Sequence, residues 1–157
     1  MPAARQRDRR ARQVVLAAPQ SQVAPRRDTA RQPGRFARTG VDIVTVPPGA
    51  ESFAYHAHAF EEEWLYVLSG SGVALVDGKE FELGAGDFLG FPAPSVPHLM
   101  INRGTADLVY LEGGERRGID VIDYPAIGKR YLLLPEGGRT SFYELGAATH
   151  PYGPADD

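Results

Sequence analysis

Residues 49–70 read GAESFAYHAHAFEEEWLYVLSG, and residues 86–102 read GDFLGFPAPSVPHLMIN. His56 and His58 stand one residue apart in a run of strand-forming character. An extended backbone sends alternate side chains to opposite faces, so both imidazoles point the same way. Four residues separate His58 from Glu63, enough to turn the chain into a new strand that opens with a carboxylate. His98 opens a further strand-like run, HLMIN, after a proline-rich turn. Three imidazoles and a carboxylate form a mixed nitrogen and oxygen donor set for one divalent transition metal ion, Fe, Mn, Ni or Zn. An octahedral ion held by four such groups keeps two positions open for water or substrate.

Alternation within the neighbouring strands agrees with that reading. Ala54, His56 and His58 share one face, and Glu63, Leu65 and Val67 share another, so each ligand falls among small or apolar groups. A carboxylate turned inward on such a face is costly unless it is paired or coordinated. Leu108, Tyr110 and Glu112 lie on one face of a later strand. If that face is inward, Tyr110 and Glu112 are the candidate catalytic groups, Tyr110 as a hydrogen-bond donor or acid/base. Phe53 and Met100 are candidates for pocket lining or core. Glu61 and Glu62 read as a solvated charge run at the pocket mouth, and His150 reads as an exposed tail residue. Trp64, Tyr66 and Leu68 face away from the ligands and form an apolar stripe that a second copy can cover, so a homodimer is expected.

Outward from these blocks the chain is a succession of short strands and turns. Strands are expected at Val41–Val46, Ser52–His58, Glu63–Leu68, Val73–Val76, Glu80–Leu83, Phe88–Phe91, His98–Asn102 and Leu108–Glu112. Asp77-Gly78 marks a tight hairpin. Gly118–Ile122, Tyr131–Leu134 and Ser141–Leu145 are further candidates, with a bend at Tyr124-Pro125. No segment holds helical periodicity over three turns. With 157 residues and 43% apolar side chains, the chain is sized for one core. The pattern predicts an all-β sandwich or barrel over 39–145, preceded by an arm at 1–38 and followed by a tail at 146–157.

The arm is set apart by charge. Residues 1–38 hold ten arginines against Asp8 and Asp28, a net of +8, whereas the remainder holds 7 basic and 18 acidic residues, a net of −11. Its composition buries too little to offset ordering entropy, so a flexible basic arm is expected, with Gln13–Ala17 able to add an edge strand to a partner's sheet. No aromatic platforms interleave the arginines, so no nucleic-acid partner is expected. The apolar cluster Val14–Ala18 is shorter than the roughly 7–15 residues of a secretory core, and no apolar run approaches the ~18 residues of a membrane span. A cytoplasmic location and no membrane partner are therefore expected. The chain has no cysteine, which excludes disulfides, thiolate ligands and cysteine nucleophiles.

Taken together, the two blocks resemble the cupin superfamily, double-stranded β-helix proteins of the jelly-roll type. That family's first block is a glycine, a histidine pair, a glutamate and a glycine, matched by Gly49, His56, His58, Glu63 and Gly70. Its second block is a glycine, a proline, a histidine and an asparagine, matched by Gly86, Pro92, His98 and Asn102. The family's proline-x-glycine turn before the last histidine is Pro92-Ala93-Pro94 here, and one residue longer. The resemblance implies a cupin barrel with a metal at His56, His58, Glu63 and His98, acting on a small-molecule substrate. It implies an enzyme, first of dioxygenase type, with a sugar or sugar-phosphate isomerase or epimerase, or a non-catalytic metal-containing binding module, as alternatives. Residues 40–115 hold only Lys79 and Arg103 as fixed cations, which argues against a phosphorylated substrate.

Overall fold

The computed structural model describes residues 26–29, 37–134 and 141–145. In chain order its strands are β1 (Arg26–Thr29), β2 (Thr39–Val46), β3 (Ala57–His58), β4 (Glu63–Ser69), β5 (Ser71–Val76) and β6 (Lys79–Gly84). They continue as β7 (Phe88–Phe91), β8 (His98–Ile101), β9 (Leu108–Glu115), β10 (Asp120–Tyr124), β11 (Lys129–Leu133) and β12 (Ser141–Glu144). One wall of the barrel is a five-stranded sheet in the order β1-β2-β9-β4-β7. The opposite wall is built from a four-stranded sheet, β12-β11-β10-β3, and a three-stranded sheet, β6-β5-β8. A bridge between His56 and His98 joins these two, so the two histidine blocks meet at the seam. All ladders are antiparallel, as short strands linked by tight turns allow. This is the double-stranded β-helix that the paired blocks imply.

The period-two pattern decides what goes inside. From β2, Val44 and Val46 are fully buried; from β4, Leu65 and Val67; from β9, Leu108 and Tyr110. With Phe91 from β7 of the same sheet, and Ala74, Leu83 and Met100 from the opposite wall, they form one core. Asp77-Gly78 forms the expected hairpin, both residues at positive φ, with β5 and β6 paired on either side. Gly70 ends β4 at φ +82°, where a Cβ would lie 2.2 Å from the Asp107 carbonyl, so this family glycine is required by both angle and space. Asn102 is fully buried and fully used. Its amide donates to the Val46 and Ala106 carbonyls (2.7 and 2.8 Å), and its oxygen accepts from the Gly104 N–H (2.8 Å).

Four expectations differ in detail. The run Ser52–His58 is not one strand: only Ala57–His58 pairs continuously, and Glu51 and His56 make single bridges to Ile101 and His98. Within the stretch read as an arm, Arg26–Thr29 pairs with β2 along the sheet edge; Gln13–Ala17 and His150 lie outside the described residues. The bend at Tyr124-Pro125 is a 3₁₀ turn, Pro125–Ile127, entered through Tyr124. Glu61 is not solvated: it is buried and accepts a hydrogen bond from the Arg117 N–H (2.6 Å), and burial pushes its carboxyl above the usual range.

Candidate metal centre

His56 and His58 flank the start of β3, Glu63 opens β4 and His98 opens β8. β3 is held beside β8 by backbone bonds between His56 and His98, N–H to carbonyl in both directions (3.3 and 2.8 Å). The long proline-rich turn is pinned to the same strand: Ser95 N–H donates to the His58 carbonyl (2.8 Å), and Ser95 Oγ accepts from the His58 N–H (2.8 Å). Pro92-Ala93-Pro94 therefore delivers His98 in place of the family's glycine-containing turn. The His98 ring lies flat on Phe91, centroids 3.8 Å apart and planes 5° apart, which sets its direction.

All three imidazoles aim one nitrogen at the same carboxylate oxygen. Glu63 Oε2 lies 3.8 Å from His56 Nε2, 3.3 Å from His58 Nε2 and 3.3 Å from His98 Nε2. The other ring nitrogens point outward to acceptors: His56 Nδ1 to the Ala54 carbonyl (2.7 Å), His58 Nδ1 to Asp120 Oδ2 (2.5 Å) and His98 Nδ1 to the Val96 carbonyl (3.0 Å). A carbonyl or carboxylate oxygen can only accept, so the Nδ1 atoms carry the protons and the Nε2 lone pairs converge with Glu63. A proton shared between His98 Nε2 and Glu63 Oε2 serves two of these four acceptors, whereas a cation serves all of them. This donor set fits a divalent transition metal.

The electrostatics point the same way. Burial, reinforced by the neighbouring His98, lowers His56 to about 4, so its imidazole is neutral and able to ligate at neutral pH. Burial alone would raise the Glu63 carboxyl, but the histidines gathered around it, His98 foremost, favour the carboxylate and hold it below the usual range. A cavity of about 400 Å³ opens over the cluster, within the size range of small-molecule sites. Tyr110 and Glu112 both line it, as the inward face of β9 predicts, together with Phe53, Met100 and Tyr124. Tyr110 is almost completely buried. Glu63 and Glu112 also line a second cavity of about 370 Å³, together with Asp42 and Glu61.

Residues 42–113 match the family described as "Cupin domain". A solved protein of Acidithiobacillus ferrooxidans, named "Putative sugar phosphate isomerase", is 35% identical. The match covers 72% of this chain and 71% of that one, with a TM-score of 0.67. The chain belongs to the cupin superfamily. A second solved cupin, from Silicibacter pomeroyi and named a sugar phosphate isomerase, shares the fold at a TM-score of 0.72 and 23% identity, over 83% of each chain. An uncharacterized protein of Methanocaldococcus jannaschii is 36% identical over 66 residues. That stretch is 42% of this chain and spans about half, 51%, of the archaeal one. Among the described residues, no helix of this cupin is long and apolar enough to cross a membrane.

The cupin blocks thus bring the four expected ligands together, and the expected Tyr110 and Glu112 face them. Sequence reasoning missed two residues that come from β10. Asp120 is fully buried behind His58, and the ring of Tyr124 stacks on His56 with centroids 5.9 Å apart and planes 25° apart. Their strand pairs with β3, Ile122 opposite His58. No spacing rule links residues 58 and 120, so only the predicted strand at Gly118–Ile122 hinted at them.

Proposed function

We propose that this cupin is an enzyme binding one divalent transition metal ion through His56, His58, Glu63 and His98. We infer that it isomerises a small, unphosphorylated hydroxy-carbonyl compound of the sugar type. The convergence of three Nε2 atoms on Glu63 Oε2 carries the metal reading. The name of the Acidithiobacillus relative supports the isomerase class. The described residues lining the cavity include neither lysine nor arginine, so a phosphate dianion would find no side-chain counter-charge and only the metal itself to pair with, which favours an unphosphorylated substrate. No observation beyond the donor set itself favours dioxygenase chemistry.

A metal in this position supplies Lewis-acid polarisation of a substrate carbonyl. In this reading Glu112, a second carboxylate on the cavity wall, takes the proton from the carbon beside that carbonyl and returns it to the neighbouring carbon. The hydroxyl proton passes between the two substrate oxygens, and no oxidant is consumed. Tyr110 orients the substrate through its hydroxyl. The test is deuterium wash-in: metal-loaded protein in D2O, without oxygen, is incubated with free and phosphorylated aldoses and ketoses and followed by NMR. Exchange at the carbon beside the carbonyl of an unphosphorylated compound is the expected result. Absence of exchange throughout the panel, with oxygen uptake on phenols or diketones, would return the protein to the dioxygenase reading.

The protein is further proposed to be a homodimer. Tyr66, Leu68 and Phe88 are exposed together on the outer face of the five-stranded sheet, and Trp64 stacks on Phe88 there with its ring against Gly113. Sedimentation of the full chain and of a chain lacking residues 1–38 should give a dimer for the full chain; a monomer in both cases rejects the assembly.

A further inference from the structure

We infer that Asp120 is the positioning residue of the metal centre, selecting the ring tautomer of His58 that can bind a metal. Asp120 lies outside residues 42–113, the cupin match, and its side chain is completely buried. Both of its oxygens are committed. Oδ1 accepts the backbone N–H groups of Phe60 (3.0 Å) and Val121 (2.8 Å), and Oδ2 meets His58 Nδ1 at 2.5 Å. The two backbone donors on Oδ1 fix the carboxylate plane, and Oδ2 then demands a proton on Nδ1. The proton on Nδ1 leaves Nε2 bare, 3.3 Å from Glu63 Oε2. His56 and His98 meet the same requirement with backbone carbonyls two residues before each ring. His58 alone takes its acceptor from another strand, so its ligating form depends on β10 being docked. An acceptor of this kind behind a metal-binding histidine fixes its orientation and raises its basicity.

The arrangement makes Asp120→Asn the sharpest probe, because it keeps the shape and inverts the signal. The amide oxygen must stay on the two backbone N–H groups, since an NH2 there would face two donors. The NH2 then faces His58 Nδ1 and requires that nitrogen to accept. The ring proton moves to Nε2, where a metal would bind. A role in packing alone predicts instead that the isosteric amide changes nothing at the metal.

The inference rests on the metal reading, so parent and variant are measured together. Zinc and manganese affinities are taken by chelator competition, and the His58 tautomer by long-range proton–nitrogen NMR of the metal-free proteins near pH 8. The expected result is an Nδ1–H tautomer in the parent and Nε2–H in Asp120→Asn, with affinity reduced about 10- to 100-fold. Equal affinities, or an Nε2–H tautomer in the metal-free parent, overturn the inference. A parent that takes up no metal rejects the metal centre itself, and the tautomer of that same sample then decides the role of Asp120. The parent measurement needs no substitution, so it stands even if the variant does not fold.

Discussion

The barrel strands β3 to β9 and the hairpin β10–β11 contribute to the same centre in different ways. The barrel supplies every atom that would touch a metal: His56 and His58 at β3, Glu63 at the start of β4 and His98 at the start of β8. The hairpin supplies none of them, but Asp120 backs His58 and Tyr124 covers His56. The donors and the group that orients His58 therefore reside in segments far apart in sequence. A cupin with a sound barrel and a displaced hairpin would keep the donors and lose the aim of His58.

The most severe test of that division removes donors. Glu63→Ala or His98→Ala should abolish stoichiometric uptake measured by elemental analysis, because each leaves the others facing an incomplete set. Uptake surviving either substitution would mean that the metal sits elsewhere. Removing the barrel's buried ring should be felt in stability. Tyr110→Ala deletes an almost fully buried side chain between β2 and β4 and should cost about 3–5 kcal/mol in urea unfolding. Tyr110→Phe keeps the ring, so it should fold normally while turnover drops by about 100-fold if the hydroxyl acts on substrate. Unchanged turnover would make Tyr110 a core residue only.

The part of the site that could be read in advance is the part governed by local geometry. His56 and His58 share a direction because alternate residues do, even though the run Ser52–His58 breaks into isolated bridges. Glu63, Tyr110 and Glu112 could be placed for the same reason, and Gly70 and Asn102 are required by their own turns. Asp120 and Tyr124 follow from a pairing between residues 58 and 122, which no local pattern encodes. Glu61 shows the limit from the other side. Glu61 and Glu62 read as a solvated pair, and the N–H of Arg117, arriving from beyond β9, makes burial of the first one tolerable.

A third test uses pH on the metal-free protein. His56 is lowered to about 4 in the fold by burial and by His98, against an unfolded value near 6.5. The unfolded chain takes up this proton first as the pH drops, so the associated stability is complete above about pH 6.5. It is lost progressively toward pH 4, by about 3 kcal/mol in all. Urea midpoints that stay flat between pH 7 and 4 would contradict that depression.

The smallest expected effect isolates the hairpin's share of it. Tyr124 is half-buried, and burial raises its own phenol above the usual range, so it stands at the border between the cavity and water. Its ring screens His56 without hydrogen-bonding it. Tyr124→Ala should therefore leave all four donors in place, and metal uptake with them, while admitting water to the imidazole. Desolvation is the largest cause of the His56 depression, so the His56 pKa should move back toward 6.5 and the stability slope between pH 6.5 and 4 should become shallower. Tyr124→Phe keeps the cover and should keep the slope. An unchanged slope in Tyr124→Ala would assign the burial of His56 to the barrel alone, leaving Asp120 as the hairpin's contribution to the centre.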